Sequence, residues 1–209
     1  TPIIILSIIS LNKTNCIKYN NDYEISKYAF TYKKGGWDCL RHYEILANNC
    51  VPLFLDIDKC PENTMYNFPK DLCSKILEDF KNKNISDTKY SYYLNKLHKH
   101  TSERLTCKYT AEYFIKVLNN HKKKANPKIL LLTNNRFLNY SIATISIGLR
   151  KLLSNNFVDY PKYNHIYNTS DNYNISVLED NNNIDRNDIH NKISNKYYDF
   201  IIMGSLGPD

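Results

Sequence analysis

The side chains best suited to chemistry are concentrated in residues 32–58, which read YKKGGWDCLRHYEILANNCVPLFLDID. This stretch places a glycine pair, the single tryptophan and several charged residues between two apolar segments. A Gly35-Gly36 turn lets the backbone approach a ligand closely, and backbone amides at the start of the following helix can face an anion. We therefore expect a ligand-binding site in this stretch.

Arg41 and Glu44 are charged side chains within the helix predicted in this stretch. Arg41 lies one turn into that helix, from where a guanidinium can reach a phosphate. Glu44 follows three residues later and shares the helix face, where its carboxylate can accept hydrogen bonds from both hydroxyls of a ribose. With Trp37 as an apolar wall, these residues predict a nucleotide-binding site. The alternative is a surface ion pair between Arg41 and Glu44, with Trp37 in the core.

Two further motifs bear on catalysis and on metal binding. His42 could act as a catalytic base or polarise a bound donor, and the alternative for a single helix histidine is a structural role. Asp56 and Asp58 follow a predicted strand with an Asp-x-Asp spacing that also occurs in divalent metal sites. Two acidic residues after a strand arise easily by chance, so the sequence predicts no metal ion and no other cofactor.

Strands must lie on both sides of these residues to position them. Apolar runs predict strands at residues 28–32 and 51–57, and apolar side chains at helical spacing predict a helix over residues 37–47. Asn48-Asn49 supplies the left-handed residue that ends such a helix. In an open parallel sheet, ligands bind beyond the carboxyl ends of the strands, which is where residues 33–37 are expected.

Strands and helices also alternate through the rest of the chain. Apolar runs predict strands at residues 3–9, 128–133, 157–160 and 198–203. Amphipathic periodicity predicts helices at residues 70–80, 87–97, 102–118, 138–153 and 185–195. The alternation indicates an α/β protein with Rossmann-like, mainly parallel sheets flanked by helices. The polar, basic residues 119–127 predict the boundary between two domains.

The charge of the chain favours anionic partners. Its 28 Lys and Arg residues against 21 Asp and Glu give a formal net charge of +7, which suits nucleic acid, a nucleotide phosphate or an acidic membrane face. The lysines are scattered apart from Lys122-Lys123-Lys124, and no basic stripe interleaved with aromatic residues is present. We therefore expect no nucleic-acid partner.

The cysteines predict a reducing compartment. They stand at positions 16, 39, 50, 60, 73 and 107, spacings that match neither a zinc site nor a compact disulfide framework. Reduced thiols are typical of cytoplasmic proteins. The apolar start of the chain is too short to span a bilayer and lacks the basic flank of a signal peptide. The sequence thus predicts a cytoplasmic protein without a transmembrane segment or signal peptide.

Residues 35–72 (GGWDCLRHYEILANNCVPLFLDIDKCPENTMYNFPKDL) resemble the donor-binding half of GT-B glycosyltransferases, particularly exostosin-like ones. In that superfamily a glycine-rich turn precedes a helix carrying Arg and Glu, which a small-residue turn and a Val-Pro strand follow. The segment from Glu44 to Pro52 is similar to the family pattern E-x-L-A-x-G-x-x-P, with Asn49 in place of the glycine. Gly36 stands where related retaining enzymes carry an acidic residue, so that motif is absent.

The resemblance implies a nucleotide-sugar donor, by analogy a UDP-sugar, and transfer of the sugar to a hydroxyl of a glycan or protein acceptor. Gly35, Gly36 and Trp37 would line the donor site, Arg41 would bind the pyrophosphate, and Glu44 would hold the ribose. His42 is the candidate catalytic residue. The metal-dependent chemistry of other glycosyltransferases is not expected.

The second half of the chain resembles the opening of an acceptor-side Rossmann half. The similar segments are residues 128–133, 148–152, 158–161 and 198–205. The resemblance therefore implies a donor half at residues 1–122 and a partial second half at residues 126–209, with the GT-B halves in inverted order. The expected protein partners are then further domains of a longer chain, or other copies of this chain in a homo-oligomer. The alternative is a non-catalytic structural or interaction module with a degenerate glycosyltransferase fold, which the inverted, shortened halves and Asn49 favour.

Overall fold

The computed structural model of the protein describes residues 3–4, 21–134, 138–167, 178 and 184–204. The chain divides into two compact units, Thr1–Leu105 (unit 1) and Thr106–Asp209 (unit 2). Each unit contains a three-stranded, fully parallel sheet with helices beside it. The predicted α/β class with parallel sheets is confirmed, whereas the assignment of the units as GT-B halves in inverted order stays a prediction.

The sheet of unit 1 has the order β1-β2-β3. Its strands are β1 (Ile3–Ile4), β2 (Tyr28–Thr31) and β3 (Val51–Phe54). The strands predicted at residues 28–32 and 51–57 are present as β2 and β3, and β3 is buried along its whole length. Of the first predicted strand, at residues 3–9, only β1 lies within the described residues.

Three helices of unit 1 follow these strands: α1 (Leu40–Ala47), α2 (Lys70–Lys81) and α3 (Asp87–Arg104). The prediction of a left-handed residue after α1 is confirmed, because Asn49 has a φ of 58°. Asparagine tolerates this conformation best among the residues with a side chain. The chain therefore turns from α1 directly into β3.

The two faces of this sheet are covered by different helices. Tyr28 and Phe30 lie on one face, where both rings contact Phe80 of α2 at centroid distances of 5.2 and 6.2 Å. Alternate residues of a strand lie on the opposite face, and there Ala29 clusters with Ile45 of α1. Polar side chains of β2 on this second face are consequently buried against α1.

The helices after residue 87 differ from those predicted. Two helices are present, as predicted for residues 87–97 and 102–118, but the break between them lies later in the chain, because α3 continues to Arg104. Thr106 begins the following helix, since its hydroxyl accepts a hydrogen bond from the amide of Tyr109. The polar residues after the last buried leucine of α3 thus extend that helix instead of interrupting it.

The boundary between the units also differs from the predicted one. It lies between Leu105 and Thr106, ahead of residues 119–127 and of the predicted division into residues 1–122 and 126–209. The helix α4 (Cys107–His121) packs within unit 2, where Ala111 belongs to a buried apolar cluster. An amphipathic pattern predicts that a helix has an apolar face, but not which neighbour covers it.

Unit 2 has the sheet order β5-β4-β6. Its strands are β4 (Ile129–Leu132), β5 (Phe157–Tyr160) and β6 (Phe200–Met203). Its other helices are α5 (Tyr140–Leu153) and α6 (Ile189–Ser194). Asn139 caps α5 by accepting hydrogen bonds from the amides of Ser141 and Ile142. The helix predicted at residues 185–195 is shorter, because Asp188 is left-handed with a φ of 51°.

Gly148 lies where α4 and α5 pack with no room for a side chain. A Cβ at this position would lie 2.0 Å from the carbonyl oxygen of Cys107 and 2.7 Å from the Cβ of Ala111. The first atom belongs to the backbone and the second to a fully buried residue. The two helices would therefore have to move apart to accept any larger residue.

Gly148→Ala is expected to lower the free energy of unfolding of unit 2 by about 1–3 kcal/mol, the usual cost of overpacking. The direction is opposite to the helix propensity of alanine, which alone would stabilise α5. Hydrogen exchange of the α4 and α5 amides measures the effect. Gly36→Ala is the matched control, because the nearest atom to its Cβ would be 4.0 Å away. Unchanged protection in Gly148→Ala would contradict the close packing.

The sequence predicts no transmembrane segment, and the helices of the structure can be compared with that prediction. Within the described ranges, no helix combines the length and apolar character needed to cross a membrane. The cytoplasmic location stays a prediction.

Candidate functional site

The loops after β2 and β3 leave the sheet at the same edge, because the two strands pair in parallel register. Residues 32–39 follow β2 and residues 55–58 follow β3. Of the predicted site residues, Gly35, Gly36 and Trp37 therefore lie beyond the carboxyl end of β2, where open parallel sheets bind ligands, and Arg41, His42 and Glu44 follow on α1. The two loops are joined at Asp56, whose carboxylate accepts hydrogen bonds from the amide of Lys33 at 3.1 and 3.3 Å.

Gly35 and Gly36 form an exposed turn in the first loop. Neither has a positive φ, so the backbone conformation does not itself require glycine. A Cβ on Gly35 would meet no atom within 4 Å. The space in front of the turn is open, and a ligand can approach the backbone there.

The guanidinium of Arg41 is held at the end of β2. Its Nε donates to the hydroxyl of Thr31 at 3.2 Å, and its Nη2 donates to the carbonyl oxygen of Tyr32 at 3.1 Å. It also lies over the ring of Tyr32, 5.4 Å from the centroid. A guanidinium carries more N–H donors than these two bonds use, so Arg41 is anchored and can still donate to an anion.

His42 lies in the interior, with 0% of its surface exposed. Its Nδ1 is 2.8 Å from the hydroxyl of Thr31, and its Nε2 is 2.9 Å from the carbonyl oxygen of Trp37 and 3.2 Å from the thiol of Cys39. Phe54 packs against the ring at a centroid distance of 4.5 Å. A catalytic base must reach the substrate, so this burial favours the structural alternative for His42.

Trp37 ends the glycine turn and is partly buried. Its ring centroid lies 6.4 Å from that of Phe54 in the core, and the ammonium of Lys33 lies 5.8 Å from the Trp37 centroid. The core packing expected for Trp37 is therefore present in part, and its role as the wall of a binding site stays a prediction. The ring is anchored in the core and also presents surface beside the turn.

Glu44 lies on α1 three residues after Arg41 and is half-buried. The structure thus brings both predicted charged residues onto one face of a single helix. Beyond them, Asn48 donates from its amide and its side chain to the backbone carbonyl of Glu44. These bonds end α1 and fix the helix that carries the pair.

Sequence reasoning missed Thr31 and Tyr32, the two residues that anchor Arg41. One signal was present for Thr31, the single aliphatic hydroxyl in a strand of otherwise apolar and aromatic residues. Buried polar side chains are nearly always hydrogen-bonded, so a partner on the neighbouring helix was to be expected. Nothing in the sequence predicts that the backbone carbonyl of Tyr32 accepts a hydrogen bond from Arg41.

A metal site is not formed by the residues that the structure describes, in which no group of three or more His, Cys, Asp or Glu side chains could hold an ion. Of the Asp-x-Asp pair, Asp56 is bonded to the amide of Lys33. Asp58 is exposed in a short turn of 3-10 helix, Ile57–Lys59. The expectation of a site without a cofactor stays a prediction.

No family model, curated protein or solved structure matches the chain. The resemblance of residues 35–72 to exostosin-like glycosyltransferases therefore stays a prediction from the residues themselves. The geometry around Arg41 is what supports a functional proposal.

Proposed function

We propose that unit 1 binds a nucleotide-sugar, of the UDP-sugar class, beyond the carboxyl ends of β2 and β3. The observation that carries the proposal is the anchored guanidinium of Arg41 beside the open Gly35-Gly36 turn. In a glycosyltransferase-like protein this would be the donor site, from which the sugar passes to a hydroxyl of a glycan or protein.

The first turn of α1 supports a diphosphate at this position. Its N-cap residue, Cys39, makes no side-chain hydrogen bond to the helix amides. The amide of His42 donates to the carbonyl of Cys39 at 3.2 Å, and the amides of Leu40 and Arg41, together with the positive end of the helix dipole, can act on an anion. Lys33 and Lys34 are exposed in the preceding loop. Guanidinium, ammonium and amide donors together suit the several oxygens of a diphosphate.

Glu44 and Trp37 provide the rest of the donor site. The half-buried carboxylate of Glu44, one turn along α1 from Arg41, can accept hydrogen bonds from both hydroxyls of a ribose, as the resemblance implies. The partly buried ring of Trp37 offers an apolar wall at the end of the glycine turn. The donor would then lie along one face of α1, with its phosphates towards the strand ends.

The second candidate function is donor binding without sugar transfer. The burial of His42 favours it, because the one residue proposed as catalytic has no exposed surface with which to touch an acceptor. Transfer would then need a base from elsewhere. A structural or interaction module that retains the donor fold is the form that this candidate takes.

Arg41→Ala is expected to weaken UDP binding by at least about tenfold, because a hydrogen bond to a charged group contributes about 1.5–3 kcal/mol. Glu44→Ala should weaken UDP as well but leave inorganic pyrophosphate unaffected, since it acts on the ribose. Calorimetric titration with UDP, UDP-sugars and pyrophosphate measures these effects. Arg104→Ala and Glu103→Ala, both exposed at the end of α3, are the matched controls.

The absence of UDP binding at millimolar ligand, or equal affinities in wild type, Arg41→Ala and Glu44→Ala, would rule out the proposed donor site. Release of UDP from a UDP-sugar, followed with and without added hydroxyl acceptors, separates the two candidate functions. Binding with release supports a transferase, and binding without release supports the non-catalytic module.

A further inference from the structure

The hydroxyl of Thr31 is fully buried and lies between two side chains of α1. It accepts the Nε–H of Arg41 at 3.2 Å and lies 2.8 Å from Nδ1 of His42. No other described strand residue joins two proposed site residues in this way. Its position suggests a role in fixing the geometry of the guanidinium.

The direction of each hydrogen bond follows from the chemistry of the groups. The carbonyl oxygen of Trp37 can only accept, so the ring nitrogen that faces it, Nε2 of His42, carries the proton. In the neutral ring Nδ1 is then an acceptor, and the Thr31 hydroxyl donates to it. The lone pairs of that hydroxyl are thereby directed at Arg41, whose Nε–H can only donate.

We infer that Thr31 is a positioning residue for Arg41, and that the buried ring of His42 fixes the direction of its hydroxyl. One chain of hydrogen bonds, from Arg41 through Thr31 and His42 to the carbonyl of Trp37, links the guanidinium to the glycine turn. The His42 ring cannot readily rotate, because Phe54 and Phe68 pack against it at centroid distances of 4.5 and 6.1 Å. The ligand-binding part of this inference rests on the proposed function.

The role differs from that of an ordinary buried hydroxyl in what it predicts for Arg41. Without the Thr31 acceptor, the guanidinium keeps its bond to the carbonyl of Tyr32 and its contact with that ring, but it loses the hydrogen bond from Nε. It can then rotate away from the strand ends. The loss should appear at the Nε–H itself and in phosphate affinity, not only in the stability of the unit.

The test compares Thr31→Val, which keeps the shape and removes the hydroxyl, with Thr31→Ser, which keeps the hydroxyl. NMR follows the exchange of the Arg41 Nε–H with water, and calorimetry follows UDP. Thr31→Val is expected to speed the exchange and to weaken UDP by about tenfold. Thr31→Ser is expected to keep both the slow exchange of the Arg41 Nε–H and the UDP affinity of the wild type. A merely structural role for Thr31 does not require this result.

Equal protection of the Arg41 Nε–H in wild type and Thr31→Val would overturn the inference. The exchange measurement needs no ligand, so it tests the positioning role of Thr31 even if the wild-type protein binds no UDP. Failure to bind UDP would remove only the proposed function. If Thr31→Val does not fold, the ring nitrogens of His42 in the wild-type protein decide by NMR. A proton on Nδ1 instead of Nε2 at neutral pH would refute the hydrogen-bond directions.

Discussion

Asp159→Asn is expected to destabilise unit 2 by about 3–5 kcal/mol, the cost of removing one partner from a buried ion pair. Asp159 is 0% exposed, and its Oδ1 lies 3.0 Å from Nη2 of Arg150 and 2.7 Å from Nη2 of Arg186. Oδ1 also accepts the hydroxyl of Tyr167 at 2.8 Å, and Oδ2 accepts the amide of Tyr163 at 2.8 Å.

The size of this effect comes from the two guanidinium groups. Both are largely buried, with 11% and 18% of their side chains exposed. A neutral amide would leave two positive charges facing each other in the interior without a counter-charge. An asparagine also presents a donor, and the atoms around Oδ1 are themselves donors.

Hydrogen exchange read by mass spectrometry measures this effect separately in each unit. Peptides from β4, β5 and α5 should lose protection in Asp159→Asn, while peptides from unit 1 serve as the internal reference. Asp188→Asn is the matched control, because Asp188 is exposed and asparagine tolerates its left-handed backbone. Loss of protection equal to that of the control would contradict the role assigned to Asp159.

Acidification is expected to weaken unit 1 through His42. Burial lowers the pKa of His42 from 6.5 to about 4. The hydrogen bond to the Trp37 carbonyl opposes this effect, the charge of Arg41 adds to it, and the charges of Asp38 and Asp56 oppose it. Between these two pH values the His42 ring is therefore neutral in the folded state and already protonated in the unfolded chain.

The sign of the effect follows from the lowered pKa. The contribution of the neutral ring to stability is fully present above about pH 6.5 and is lost progressively as the pH falls towards about 4. The whole change is about 3 kcal/mol. Trp37 is the single tryptophan and lies beside His42, so its fluorescence during urea unfolding reports on unit 1.

The measured quantity is the difference in pH dependence between wild type and His42→Gln. The variant should lose the slope between pH 6.5 and 4, whereas His190→Gln, at an exposed position, should keep it. Hydrogen bonds to Lys89 and Lys27 lower the pKa values of Asp79 and Asp87. These carboxylates are present in all three proteins, so their contribution to the pH dependence cancels in the comparison. The same slope in wild type and His42→Gln would show that the pKa of His42 is the same in the folded and unfolded states, and would contradict the lowered value.

Local features of the site were predictable from the sequence, because they depend on neighbours in the chain. Asn49 has the left-handed conformation that a helix end before a buried strand requires. The register of β2 and β3 brings their loops to one edge, as an open parallel sheet dictates. The helix that carries Arg41 and Glu44 follows from its apolar spacing.

The features that were missed depend on residues that meet only after folding. Arg150 and Arg186 converge on Asp159 from well-separated parts of the chain, and neither has a sequence pattern that predicts this. The burial of His42 depends on Phe54 and Phe68. Periodicity describes which face of a helix is apolar, but a polar side chain at the edge of that face can turn either way.

The most direct test of the central claim is a map of UDP binding on the backbone amides of the isotope-labelled chain by NMR. If unit 1 binds UDP as proposed, the largest shifts are expected at residues 33–37, in the first turn of α1, and at the indole N–H of Trp37. Saturating UDP that shifts none of these signals, or shifts only the lysine-rich residues 119–127, would contradict a donor site at the carboxyl ends of β2 and β3.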